Sequence, residues 1–168
     1  MKEFIRIVGK KQFYIANAII ILCIILMVRS PGCQAMKPAP PPVSQSLENV
    51  VSIELLNTQK HNYKDPDSIK LLYTLSEYEF EAFWNEFMTI HYSCLFNDPP
   101  TNFGIITVRI TYQDGCVDMI GTTVCRFIDA EGNDSGMPRT VDDREALRSL
   151  FAKYVDISLI PPARAYTS

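Results

Sequence analysis

An uncharged run of 16 residues, 13–28 (FYIANAIIILCIILMV), constrains this chain more than any other feature. Its one strongly polar side chain is Asn17. A helix of about 20 apolar residues spans the hydrocarbon core of a bilayer, with a working range of roughly 17–25. The run is slightly short, but Tyr14 and the flanking Lys and Arg side chains can sit at the interfaces and lengthen it. Lys2, Arg6, Lys10 and Lys11 precede it against a single acid, Glu3, whereas only Arg29 and Lys37 follow it closely. The more basic flank stays in the cytoplasm. The sequence therefore predicts a basic cytoplasmic N-terminus at residues 1–12 and a single-pass signal-anchor at 13–29, with the rest of the chain outside the cell membrane. A buried core helix would not be basic on one flank and proline-rich on the other.

The same run fits the basic and apolar regions of a signal peptide, but a good cleavage site is missing. Ser30-Pro31-Gly32-Cys33 shares with a lipobox only the glycine before the cysteine. An uncleaved anchor is the expectation; a lipoprotein attached through Cys33 and a secreted product are the alternatives. The expected contact of residues 13–29 is the lipid bilayer. Nucleic acid is not an expected partner, because residues 1–37 carry +5 of a whole-chain charge of −3, which leaves −8 on residues 38–168.

Residues 30–46 read as a linker. Pro38, Pro40, Pro41 and Pro42 favour polyproline II, at about 3.1 Å per residue, so residues 36–46 are expected to act as a spacer of roughly 30 Å. A ligand for a proline-binding module is the sharper alternative. A domain follows at 47–156 and a tail at 157–168. That length buries the core of one ordinary domain.

Within the domain, residues 50–56 (VVSIELL) are rich in β-branched side chains and read as a strand, with a second, antiparallel strand at 69–74. Ser76 and Glu79 form a capping-box pattern, and Leu75 and Phe80 a hydrophobic staple, at the start of a helix running to about Ile90. Phe80, Phe83, Trp84, Phe87 and Ile90 share one face at helical spacing, which makes them core rather than a ligand cleft. Asp114-Gly115 predicts a two-residue type I′ hairpin between strands at 105–113 and 116–127. That turn sets Tyr112 opposite Val117, Ile110 opposite Met119 and Val108 opposite Gly121. It puts Arg109 diagonal to Asp118 as a cross-strand pair, with Cys125 inward and Cys116 outward. Residues 129–138 read as an acidic loop, and a final helix at 143–155, capped by Asp142 or Thr140, presents Leu147, Leu150, Phe151 and Tyr154 to the core. The predicted fold is α+β in the order ββαββα, an antiparallel sheet covered on one face by two helices and preceded by the N-terminal transmembrane helix.

Chemistry is harder to find. His91, Cys94 and Asp98 lie close in sequence and suggest a Cys–His nucleophile. Residues of such triads normally come from separate elements, and no oxyanion-hole glycines flank Cys94. Asp129, Glu131, Asn133 and Asp134 suggest calcium but miss the EF-hand spacing. The cysteines show no CxxC and no histidine at ligand spacing, so no zinc site is indicated. Buried free thiols are expected, with Cys94–Cys125 the pair if one disulfide forms. The expectation is therefore no catalytic, cofactor-binding or metal-ligating residue. The favoured reading is a non-enzymatic binding module with a protein or cell-envelope partner; a small envelope enzyme or thiol-dependent protein using Cys94, His91 and Asp98 is the alternative.

Ile53-Glu54, the helix ending at His91, the Phe96-Asn97-Asp98-Pro99-Pro100 turn, Gly104-Ile105 and Tyr112-Gln113-Asp114-Gly115 together carry a resemblance. Over residues 48–155 the chain resembles small exported or membrane-anchored proteins of Gram-positive bacteria, with the Asp-Pro-Pro turn and the Asp-Gly hairpin as the most specific elements. The resemblance implies a surface location and a small α+β domain. It carries no activity.

Overall fold

The computed structural model describes residues 38–59, 68–94, 103–137 and 139–160. The chain divides into Met1–Lys37 and Pro38–Ser168, and every described residue belongs to the second unit. The expected span at 13–29, Cys33 and Asp98 lie outside the described residues. Among the described residues no helix is long and apolar enough to cross a membrane.

The unit is α+β, with antiparallel sheets and two helices. In chain order it contains β1 (Val50–Asn57), β2 (Lys70–Thr74), α1 (Glu77–Phe87), β3 (Tyr92–Cys94), β4 (Ile106–Tyr112), β5 (Val117–Gly121), β6 (Cys125–Ile128), β7 (Asp134–Met137), β8 (Arg139–Val141) and α2 (Arg144–Phe151). Six strands form one sheet in the order β2-β1-β4-β5-β6-β7, and β3 pairs with β8 in a second. The order ββαββα is thus too short: β3, β7 and β8 are additional, and residues 116–127 form two strands.

Each helix buries one stripe. In α1 the Glu79 carboxylate accepts from the Ser76 hydroxyl and from the Ser76 backbone N, the latter at 2.8 Å as the capping pattern requires. Those bonds from Ser76 hold the Glu79 carboxyl below the usual glutamate value. Phe80, Phe83 and Phe87 are buried, with the Phe83 and Phe87 rings 5.5 Å apart. The helix ends at Phe87 rather than Ile90, and the turn that follows still buries Ile90. In α2 it is Asp143, not Asp142 or Thr140, that caps: its carboxylate accepts from the backbone N of Glu145 and Ala146, each at 3.0 Å. Leu147, Leu150 and Phe151 face inward. Complete burial of side chains this size is worth about 2–3 kcal/mol each in transfer free energy. They meet Ile53 and Leu55 of β1, Val108, Ile110 and Tyr112 of β4, Ile120 of β5 and Cys125 of β6 in one core.

The central hairpin differs from the sequence prediction by one residue. Gly115 N donates to Tyr112 O, and Tyr112 N to Cys116 O, each at 3.0 Å. The loop is therefore Gln113, Asp114 and Gly115, with Gly115 in the left-handed region at φ +88°. A type I turn closed by a left-handed glycine is the usual three-residue hairpin. One extra loop residue shifts every facing pair, and with a side-chain period of two it turns β5 over. The pairs are Thr111 with Val117, Ile110 with Asp118, Arg109 with Met119 and Val108 with Ile120. Asp118 and Ile120 accordingly face the helices, while Val117 and Met119 face away. Cys116, expected outward, packs against the main core together with Cys125. Arg109 pairs with Glu54, its neighbour across β1, and not with Asp118.

The other face of the sheet is partly covered as well. Leu56, Phe103, Met119 and Val124 form a second, smaller cluster, against which Ile69, Val117 and Ile128 pack.

Residues 38–46 do not stand off as a spacer. Pro41 is buried and Val43 packs on the main core. Ala39 pairs with Tyr92 through two backbone bonds, Ala39 N to Tyr92 O at 3.0 Å and Tyr92 N to Ala39 O at 2.8 Å. Apolar proline and valine surface has more to gain against a core than in water.

Candidate functional site

Of the three residues that suggested a Cys–His nucleophile in the sequence, Asp98 and the side chain of Cys94 lie outside the described residues. His91 is exposed just before β3, and its backbone O accepts from Asp142 N at 2.9 Å. Cys94 ends β3 opposite Arg139. The acidic loop is a hairpin turn between β6 and β7 whose two aspartates already have protein partners. Asp129 Oδ1 accepts from Glu131 N at 3.1 Å and Asn133 N at 2.8 Å, and its Oδ2 from Asn133 Nδ2 at 2.8 Å. These bonds, the one from the Asn133 side chain foremost, hold the Asp129 carboxyl below its ordinary value. Asp134 pairs with Arg126. Among the described residues no group of three or more His, Cys, Asp or Glu could hold a metal ion.

Cys125 is a free thiol, so it is not bonded to Cys94. Burial pushes its pKa up to about 12. Cys116 is also free, and desolvation, followed by its hydrogen bond to Asp114, raises its pKa. The thiolate is the nucleophile in cysteine chemistry, and both sites disfavour it. At pH 8 a thiol titrating near 12 carries roughly a thousandfold less thiolate than an unperturbed one near 8.5. Cys125 in the folded full-length chain should therefore resist iodoacetamide at pH 8 until denaturant is added, read by peptide mass mapping. Labelling at the denatured rate would show that the strand is not packed as described. Because the folded pKa is the higher one, this thiol favours the folded state fully below about pH 8.5, and the contribution is lost as pH rises from there towards 12.

The turned-over β5 instead builds a polar cluster that sequence reasoning missed. Asp118 is 1 % exposed. One oxygen accepts from Ser44 N at 2.6 Å and from the Tyr112 hydroxyl at 2.6 Å. The other accepts from the Ser44 hydroxyl at 2.7 Å. Three donors around one carboxylate are what a buried charge needs to be tolerated. Burial, reinforced by the bond to Asp118, pushes the Tyr112 phenol well above its ordinary value, so it remains a donor. Nearby, the Gln45 side chain donates to Asp114 at 2.8 Å.

A cavity of about 270 Å³ opens beside this cluster, walled by Ser44, Cys116, Asp118, Phe127, Asp129 and Asn133 among others. The wall offers a protonated thiol, an aromatic face and carboxylates already committed to protein donors. It suits non-covalent contact with a small polar group and presents no activated nucleophile. The signal that could have found the cluster was an aspartate inside an apolar strand, in Cys116-Val117-Asp118-Met119-Ile120, together with Ser44 beside an apolar Pro-Pro-Val stretch. No protein-family model matches this chain, and neither the curated proteins nor the solved structures contain a significant match to it.

Proposed function

We propose that this chain is a membrane-tethered, extracytoplasmic binding module without catalytic activity of its own, held at the bilayer through residues 13–29 and engaging a protein or cell-envelope component. One observation carries the reading: the 16-residue uncharged run preceded by four basic residues. Such a run gains free energy in hydrocarbon while its cationic flank stays at the cytoplasmic interface. The character of the folded unit supports the non-enzymatic part. Its inward carboxylate is held by three donors, and its described free thiols are disfavoured as thiolates.

The test is protease treatment of intact expressing cells, combined with the intact mass of the recovered chain. Residues 47–168 should be digested from outside, the full-length mass should be retained, and extraction should require detergent. A full-length product recovered from the cytosol without detergent would overturn the tether. A mass that begins at a lipid-modified Cys33 would replace the uncleaved anchor with a lipid one.

A further inference from the structure

We propose that residues 38–46 form a strap that opens as a unit while the sheet stays folded, with Ser44 on Asp118 as its latch. Its chemistry sets it apart from the strand it leads into. Pro38, Pro40, Pro41 and Pro42 lack an N–H, so the strap cannot extend a ladder along β3. Three polar contacts hold it, one of them the Gln45 side chain donating to Asp114 at 2.8 Å. At one end Ala39 exchanges a pair of backbone bonds with Tyr92. At the other the Ser44 amide and hydroxyl grip the two oxygens of Asp118 at 2.6 and 2.7 Å. Between the clamps Val43 N bonds within the strap itself, to Pro41 O at 2.9 Å, and Pro41 and Val43 supply the apolar contact.

β1 begins only a few residues later and is anchored differently, paired along its length with β4 on one side and, from Glu54 onward, with β2 on the other. Opening the strap therefore breaks these three contacts and leaves the ladder intact, the pattern of a local unit at the low end of a protein's range of opening free energies. Prolines keep the open strap near its docked shape, so re-closing costs little entropy. Ser44 is also a wall of the 270 Å³ cavity. Release removes that wall and uncovers Asp118 and the Tyr112 hydroxyl, which are closed off when the strap is down. The open seat fits a segment like the one that left it: an extended proline-containing peptide followed by a residue offering an amide and a hydroxyl. The inference does not depend on what residues 1–37 do.

Amide hydrogen exchange on the detergent-solubilised full chain tests it. In Ser44→Ala the amides of Ala39 and Ser44, which bond to the rest of the fold, should exchange roughly tenfold faster or more, the ratio expected for losing one charge-assisted hydrogen bond. Ile53 and Ile110 should keep their wild-type protection, and Ser44→Thr, which retains the hydroxyl, should restore the strap. A parallel loss of protection in strap and sheet would make residues 38–46 an inseparable part of the global fold and overturn the proposal. No change in the strap amides would also overturn it, because Ser44 would then not be the latch.

Discussion

Gly121→Ala should lower the stability of the folded unit by about 2–4 kcal/mol, although it adds one methyl group to a strand. An added Cβ would lie 2.5 Å from Phe103 O, 2.8 Å from Val124 O and 2.9 Å from Phe103 Cβ. Both oxygens belong to backbone, and both are already acceptors. Phe103 O receives Thr122 N at 2.8 Å and the Thr122 hydroxyl at 3.1 Å, and Val124 O receives Gly121 N at 3.0 Å. Relieving the overlap means lengthening these bonds and moving Phe103 off the second apolar cluster. Gly136→Ala in β7 is the matched control. Nothing lies within 4 Å of its added Cβ and its φ is not positive, so its change should stay within about 0.5 kcal/mol. Urea denaturation of both variants provides the comparison. Equal, small effects would mean that residue 103 does not close over the β5–β6 turn.

That turn also shows why part of the fold was hidden in the sequence. It is made by Thr122 and Thr123, with Gly121 N donating to Val124 O. Both threonines favour strands, so residues 116–127 read as one strand. The elements with strong local signals came through. The Ser76–Glu79 cap, the staple of Leu75 and Phe80 and the aromatic stripe of α1 all lie where the sequence predicts, because each depends on residues within one or two turns. Pairing across longer distances did not come through. β7 is Asp134, Ser135, Gly136 and Met137, a poor strand by composition, and it is held by backbone bonds to β6. The proline stretch has the local character of a spacer, but its burial depends on Asp118 and Tyr92, which lie far along the chain. For the candidate cluster the deciding ambiguity was a single residue. Asp-Gly serves both a two-residue type I′ turn and a three-residue turn ending in a left-handed glycine, and the alternation on either side accommodates both.

The register makes the sharpest prediction, because the two turns place Asp118 on opposite faces. Asp118→Ala should cost about 3 kcal/mol, since it strands the buried Tyr112 hydroxyl away from water, at about 1–3 kcal/mol for an unsatisfied group, and also removes the acceptor that holds the exposed Ser44. Tyr112→Phe removes a donor together with its need for a partner and should cost only about 1 kcal/mol. The double variant should then be more stable than the sum of the two changes implies, with a coupling of about 1–2 kcal/mol, because phenylalanine has no hydroxyl left to strand. Arg109→Ala should show no coupling to Asp118→Ala. Its partner is Glu54, and a pair this exposed is worth under about 1 kcal/mol. The type I′ register requires the reverse. Asp118 would lie on the solvent face beside Arg109, its loss would stay within about 0.5 kcal/mol, and any coupling would be to Arg109 rather than Tyr112. Denaturant midpoints of the single variants and the two double variants separate the registers, since one hydrogen bond from a buried phenol is available only if the hairpin loop holds three residues.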